Sequence, residues 1–307
     1  MAVAALIMFA TNVLVTKAAS NKLDVSVGFL ISVIVNCLIS GLASGVQLVW
    51  QTSDFSWSLS GAISFAFAGI FSTYLGRWFF YESVVRLGSA RASVFQVTSP
   101  AFAAVFAWLF LSERLSTIVV VGIALTICGL IVVASPARNA NPKNGNHHSL
   151  LNIFSKGASW LKGSHVLLGL GSSMAYAVST VLRGNGIREW NEPIIGALLG
   201  ALAGLLVYLL TSRNTHLLFA GIRRANREGI WLYAASGMLT IVAQICAIAS
   251  FRFIPVSLSN LITLCTPFIV IPCGYFLHKN SERITARTWI GAGLVFLGIA
   301  LMIYMKE

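Results

Sequence analysis

Residues 76–116 read GRWFFYESVVRLGSARASVFQVTSPAFAAVFAWLFLSERLS, and this stretch decides the fold. Its middle runs from Ala92 to Ser112 without a charged residue, and Glu113 and Arg114 follow directly. Charged side chains are costly in hydrocarbon, and a helix needs about 20 residues to cross a bilayer. The stretch therefore predicts a membrane-spanning helix that contains Pro100 and ends at a charged loop.

The same pattern of long uncharged runs continues along the whole chain. Of the 307 residues, 57% are hydrophobic and 10% are charged, whereas a soluble domain averages about 25% charged residues. Ten uncharged runs reach 16 residues. They are 1–16, 25–53, 55–76, 92–112, 115–137, 163–182, 193–212, 229–251, 253–278 and 288–305. The sequence therefore predicts an all-α integral membrane protein with ten transmembrane helices.

The two halves of the chain repeat each other. Ser99-Pro100 matches Thr266-Pro267 at an offset of 167, and Glu113-Arg114 matches Glu282-Arg283 at 169. Because five spans is an odd number, the second repeat enters the membrane from the opposite side. We predict two inverted five-helix repeats, at 1–135 and 165–307. The linker at 136–164 is either a short interfacial helix in its second half or an unstructured tether.

The quoted stretch and its echo, SNLITLCTPFIVIPCGYFLHKNSERIT at 259–285, resemble the EamA-type transporters of the drug/metabolite transporter (DMT) superfamily. The resemblance covers nearly the whole chain. It implies a secondary transporter of a small metabolite, often an exporter, in the cell (inner or plasma) membrane. The partners expected from this are the lipid bilayer and a small-molecule substrate.

The polar residues of the apolar segments are the candidate binding site. Arg77 is the one Lys or Arg inside the apolar segment from Phe55 to Tyr81, where its insertion costs about 2.5–3.5 kcal/mol. A guanidinium pairs well with a carboxylate or phosphate, so Arg77 is predicted to anchor a substrate anion in a central cavity between spans one to four and six to nine. The alternatives are a structural pair with Glu82 or a position at the membrane interface. The other predicted lining residues are Tyr74, Trp78, Tyr81, Gln96, Gln244, Asn260 and Thr263, beside helix kinks at Pro100 and Pro267.

Glu82 lies near the end of a span and has two possible roles. It could carry a coupling proton, or it could pair with Arg86 on the same helix face, which we favour. The five cysteines fall inside apolar runs without a CxxC pair, so neither a metal site nor a cofactor is expected. A monomer or a weak dimer is expected.

Motifs that are typical of other classes of function are missing from the sequence. No HExxH motif, nucleophile elbow or GxxxxGK[ST] loop is present, so an enzyme or a nucleotide-driven pump is not expected. The net charge of +12 comes from Lys and Arg between apolar runs, which predicts no nucleic-acid partner. Transport of an amino-acid-like, zwitterionic or anionic solute is the favoured function. A membrane-embedded enzyme or a receptor without transport activity is the alternative.

Positive charge is unequally divided between the two predicted sides. Fifteen Lys and Arg follow odd-numbered spans, against five on the other side, namely Arg114, Arg183, Arg188, Arg252 and Lys306. Since Lys and Arg are enriched in cytoplasmic loops, the charges predict both termini outside. The family resemblance implies both termini inside.

Overall fold

The computed structural model describes residues 1–50, 57–99, 101–102, 117–134, 164–212, 215–254, 256–277 and 286–304. All regular secondary structure in these ranges is helical. The helices are α1 Ala2–Ser20, α2 Val25–Trp50, α3 Leu59–Gly69, α4 Arg77–Leu87, α5 Ser89–Gln96, α6 Thr117–Ala134, α7 Ser164–Glu189, α8 Pro193–Thr211, α9 Thr215–Arg224, α10 Arg227–Ser250, α11 Val256–Leu264, α12 Thr266–Leu277 and α13 Ala286–Tyr304.

Six of the described segments are long and apolar enough to cross a membrane. They are Ala2–Ser20, Val25–Trp50, Leu59–Leu87, Val166–Glu189, Pro193–Thr211 and Arg227–Ser250. Shorter apolar helices lie at Val120–Gly129, Ile262–Gly274 and Thr288–Gly298. Leu38, Leu42, Val46 and Val49 of α2 are exposed, which is typical of a face that meets lipid. The protein is therefore an all-helical membrane protein, and the count of ten spans stays a prediction.

The third span is longer than its charges predict. A π-helical segment, Ile70–Gly76, joins α3 to α4, so the span runs without a break from Leu59 to Leu87. The N–H of Arg77 bonds to the carbonyl of Ser72, five residues back, which is the π-helical pattern. The uncharged run stops at Gly76, but the helix continues past it, because a buried arginine with hydrogen-bond partners can lie well inside a span.

The sequence predicts that Pro267 kinks a continuous helix, but the helix is not continuous there. The helix is interrupted at Cys265, between α11 and α12, and Pro267 lies in the first turn of α12. A first-turn N–H has no intrahelical acceptor, so proline is tolerated there. A similar turn follows α5 at Val97 and Thr98, 167 positions earlier, whereas Pro100 lies outside the described residues.

Close approaches between helix backbones hold the bundle together. A Cβ atom on Gly69 of α3 would collide with the backbone of Gly200 in α8, and one on Gly237 of α10 would lie 2.5 Å from the carbonyl oxygen of Ser32. Small residues let helices approach in lipid, where packing takes the place of the hydrophobic effect. α1 and α10 are antiparallel neighbours, and the Lys22–Glu228 ion pair of 3.0 Å marks one end of the bundle, called here the Lys22 end.

A short amphipathic helix, α9, links α8 and α10. Its Leu218 and Ile222 pack against the core, whereas His216, Phe219 and Arg223 are exposed. This pattern is typical of a helix that lies in the membrane interface. The charge spacing predicts only a loop here, between the runs 193–212 and 229–251. The interfacial helix that is one alternative for the 136–164 linker falls outside the described residues.

Candidate functional site

One cavity, of about 120 Å³, lies in the centre of the described bundle. That volume holds several water molecules or a small solute. Its lining residues come from α1, α4, α5, α7, α10, α11 and α12 and from the turns that follow α5 and α10. Neither α2 nor α8, the second and seventh predicted spans, contributes a described lining residue.

Arg77 begins α4, lines the cavity and is 1% exposed. Its Nη1 and Nη2 donate to Asn36 Oδ1 of α2 over 2.7 and 2.8 Å, and Asn36 Nδ2 donates to the carbonyls of Gly237 and Ser32. These partners fix the orientation of the Asn36 amide. In the opposite orientation the amide oxygen would face the two carbonyls and the amide nitrogen would face the Arg77 donors, so neither atom would form a hydrogen bond. A guanidinium has five N–H donors, so the bond to Asn36 fixes Arg77 and leaves donors for a ligand.

A second arginine, Arg183 of α7, also lines the cavity. Its Nη2 donates to Ser72 Oγ over 2.6 Å, and Ser72 donates to the carbonyl of Ala68 over 2.8 Å. Placing Arg183 in a loop beyond the sixth span was wrong, since α7 continues to Glu189. Tyr176, Thr180 and Arg183 recur at helical spacing and form one face, a signal that was present in the sequence.

Six of the eight predicted lining residues border this cavity. They are Arg77, Tyr81, Gln96, Gln244, Asn260 and Thr263, and their role as substrate ligands stays a prediction. Tyr74 and Trp78 lie elsewhere. Tyr74 accepts a hydrogen bond from Thr211 over 2.9 Å, and the Trp78 ring packs on Phe29. Because each helical residue is rotated by about 100° from the last, Trp78 cannot share the face of Arg77 and Tyr81.

No aspartate or glutamate is among the described residues that line the cavity. Glu82, the candidate partner or proton carrier, pairs with Arg86 at 2.9 Å, as the i,i+4 spacing predicts. Among the described lining residues, two arginines carry charge and the others are neutral, which favours a ligand with negative charge.

A buried polar cluster separates the cavity from the Lys22 end. Ser236 Oγ donates to Asn12 Oδ1 over 2.6 Å and lies 2.6 Å from the Tyr81 hydroxyl and 3.0 Å from Thr16 Oγ1. Asn12 and Tyr81 line the cavity, and Thr16 and Ser236 lie beyond them. The cluster joins α1, α4 and α10 and so closes that end.

Ser236→Ala is expected to destabilise the protein by about 1–3 kcal/mol, because it removes the buried hydrogen bonds that Ser236 Oγ makes with Asn12, Tyr81 and Thr16. Thermal unfolding of the purified protein in detergent measures the effect. Ser20→Ala is the matched control, since Ser20 Oγ bonds only to its own helix, at the carbonyl of Lys17. Equal unfolding temperatures for Ser236→Ala and Ser20→Ala would contradict the prediction.

The lining residues are related by a constant separation in sequence. Eighteen of them form nine pairs that are 167 positions apart. The pairs are Phe9 and Tyr176, Val13 and Thr180, Arg77 and Gln244, Phe80 and Ala247, Tyr81 and Ile248, Ser93 and Asn260, Gln96 and Thr263, Val97 and Leu264, and Ser99 and Thr266. Both halves of the chain thus contribute residues to one cavity at a constant separation in sequence.

The comparisons with known proteins agree with this architecture. The model of the EamA-like transporter family matches residues 1–135 and 163–304. The chain is therefore a member of the EamA-like transporter family, within the drug/metabolite transporter superfamily. A search of curated proteins gave no significant match. One protein of known crystal structure has a similar fold, with a TM-score of 0.56 and 15% identity over 99% of this chain and 98% of that one.

Proposed function

We propose that the protein is a secondary transporter that moves a small metabolite with a carboxylate or another anionic group across the membrane by alternating access. Arg77 binds the anionic group. The substrate is an amino acid or another zwitterionic or anionic solute, and the direction of transport is export. The chain crosses the membrane ten times, as two inverted repeats at 1–135 and 165–307.

The nine residue pairs support the inverted repeat. A two-fold axis through the cavity would place both members of each pair on its wall. The packing of α6 on α13 also agrees with a two-fold relation between the halves. A Cβ on Gly129 would lie 2.6 Å from the carbonyl oxygen of Gly291, and one on Gly298 would lie 2.5 Å from that of Gly122. Because Gly122 and Gly129 match Gly291 and Gly298 at an offset of 169, exchange of the halves converts one contact into the other.

Alternating access fits the position of the cavity relative to the polar cluster. The cavity lies on one side of the contact between Asn12, Thr16 and Ser236, and the Lys22 end lies on the other. Inverted repeats can exchange conformations, so the same cavity opens to each side in turn. Release of the substrate towards the Lys22 end then requires this cluster to separate.

The observation that carries the proposal is a buried arginine in a cavity without acidic residues among its described lining. Arg77 is 1% exposed and is held by a neutral amide rather than by a carboxylate. A positive charge at membrane depth is costly, and a substrate anion lowers that cost when it replaces water. The same charge disfavours cationic solutes.

Counterflow in proteoliposomes tests the proposal. Purified protein is reconstituted, and vesicles preloaded with one unlabelled solute are supplied with the labelled form of the same solute. The panel pairs carboxylates and amino acids with amines of equal size that lack a carboxylate. We expect accumulation of at least one carboxylate-bearing solute and of none of the amines, with protein-free vesicles as the control. Accumulation of the amines alone, or of no solute in the panel, would contradict the proposal.

A further inference from the structure

We infer that Arg183 forms a second anion subsite, so that the preferred substrate carries two negative charges, as a phosphate monoester or a dicarboxylate does. This inference rests on the proposed function and deepens it. The observations that carry it are the position of Arg183, the fixation of its guanidinium, the charge of the cavity and the asymmetry between the two halves.

Arg183 is placed to meet a ligand. It follows Tyr176 and Thr180 on the cavity face of α7, and its guanidinium is held by Ser72 of the π-helical segment. The segment that fixes Arg183 is therefore the one that leads directly into Arg77. A hydroxyl orients a guanidinium but does not neutralise it, so Ser72 leaves the positive charge of Arg183 to be balanced by an anion.

The two arginines affect each other electrostatically. The charge of Arg77 acts on Arg183, and Tyr176 interacts with both of them. Like charges near one another in a medium of low dielectric constant repel strongly. A ligand with one negative charge would balance only one of the two guanidinium groups, whereas a dianion balances both.

The asymmetry between the halves confines this charge to one wall. At the separation of 167 residues, Arg183 corresponds to Thr16, Tyr176 to Phe9 and Thr180 to Val13. The wall formed by α4 and α7 is therefore cationic and polar. The described lining residues of the opposite wall, formed by α1 and α10, are all neutral, and they include the polar Asn12, Thr240 and Gln244 beside the apolar Phe9, Val13 and Ile248. The substrate should then place both negative charges against α4 and α7 and a neutral part against α1 and α10.

Binding of matched probes tests the inference. The first pair is succinate and its monomethyl ester, and the second is glycerol phosphate and its methyl diester. The members of each pair are similar in size but differ by one charge at about pH 8, above the second pKa of a phosphate monoester, which is about 6. Affinities are measured in detergent by the rise in unfolding temperature with probe concentration. We expect the dianion of at least one pair to bind about tenfold or more tightly than its partner.

Three variants complete the test. Arg183→Gln should lose this preference by weakening the dianion about tenfold while leaving the monoanion within about threefold. Arg183→Lys retains the charge and should retain part of the preference. Arg188→Gln is the matched control, because Arg188 lies on the same helix, is exposed and does not line the cavity.

The outcomes separate this inference from the proposed function. If the wild type binds monoanions as tightly as dianions, or if Arg183→Gln weakens both equally, the second subsite is wrong and a single-anion transporter remains. If no anion binds to the wild type, both the subsite and the proposed function are wrong.

Discussion

Arg77→Ala is expected to abolish transport while the protein remains inserted in the membrane. The substitution removes the guanidinium that faces the cavity and leaves Asn36 Oδ1 without its two donors. Loss of about two charge-assisted hydrogen bonds to a substrate anion corresponds to an affinity about 100-fold lower or worse. Uptake into proteoliposomes, normalised to the amount of reconstituted protein, measures the effect.

Two further variants distinguish a ligand contact from a structural role. Arg77→Lys keeps the charge but loses the bidentate geometry, so transport should be impaired rather than absent. Arg86→Ala removes another arginine of α4, whose exposed pair with Glu82 contributes about 0–1 kcal/mol, and should leave transport nearly unchanged. Normal transport by Arg77→Ala would show that the residue is structural and that the site is wrongly assigned.

Gly69→Ala is expected to prevent correct packing of the third span. Its Cβ would collide with the carbonyl oxygen and Cα of Gly200, and backbone atoms cannot move aside as a flexible side chain can. The α3–α8 contact must then open, at a cost of about 1–3 kcal/mol or more. The yield of monodisperse protein and its unfolding temperature in detergent should both fall sharply.

Gly45→Ala is the matched control for this prediction. Gly45 is also helical, but a Cβ there meets nothing within 4 Å. Alanine forms helices better than glycine by about 0.8–1.0 kcal/mol, so Gly45→Ala should be as stable as the wild type or more stable. If Gly69→Ala behaved like Gly45→Ala, the close approach of α3 and α8 would not be needed for the fold.

Charge spacing predicted the helical class and one cavity residue, because an ionisable group is rare at membrane depth and usually faces a cavity. Arg77 stood out in the sequence for that reason. Arg183 did not, because an arginine near the end of an apolar run cannot be told from a loop residue by the spacing of charges alone. Asn36 gave no signal either, since its role depends on the approach of α2 to α4 and α10.

Local composition alone is enough to establish a helical membrane protein. This property follows from short-range physics, namely the cost of charge in hydrocarbon and the length of a span. Tertiary packing alone decides which polar residues meet. Arg77 reaches Asn36, 41 positions away, and Arg183 reaches Ser72, 111 positions away, because α4 and the π-helical segment pack against their neighbours. Glycines allow the helices to approach closely enough for such contacts. The rotation of about 100° per helical residue then places Arg77 towards the cavity and Trp78 away from it.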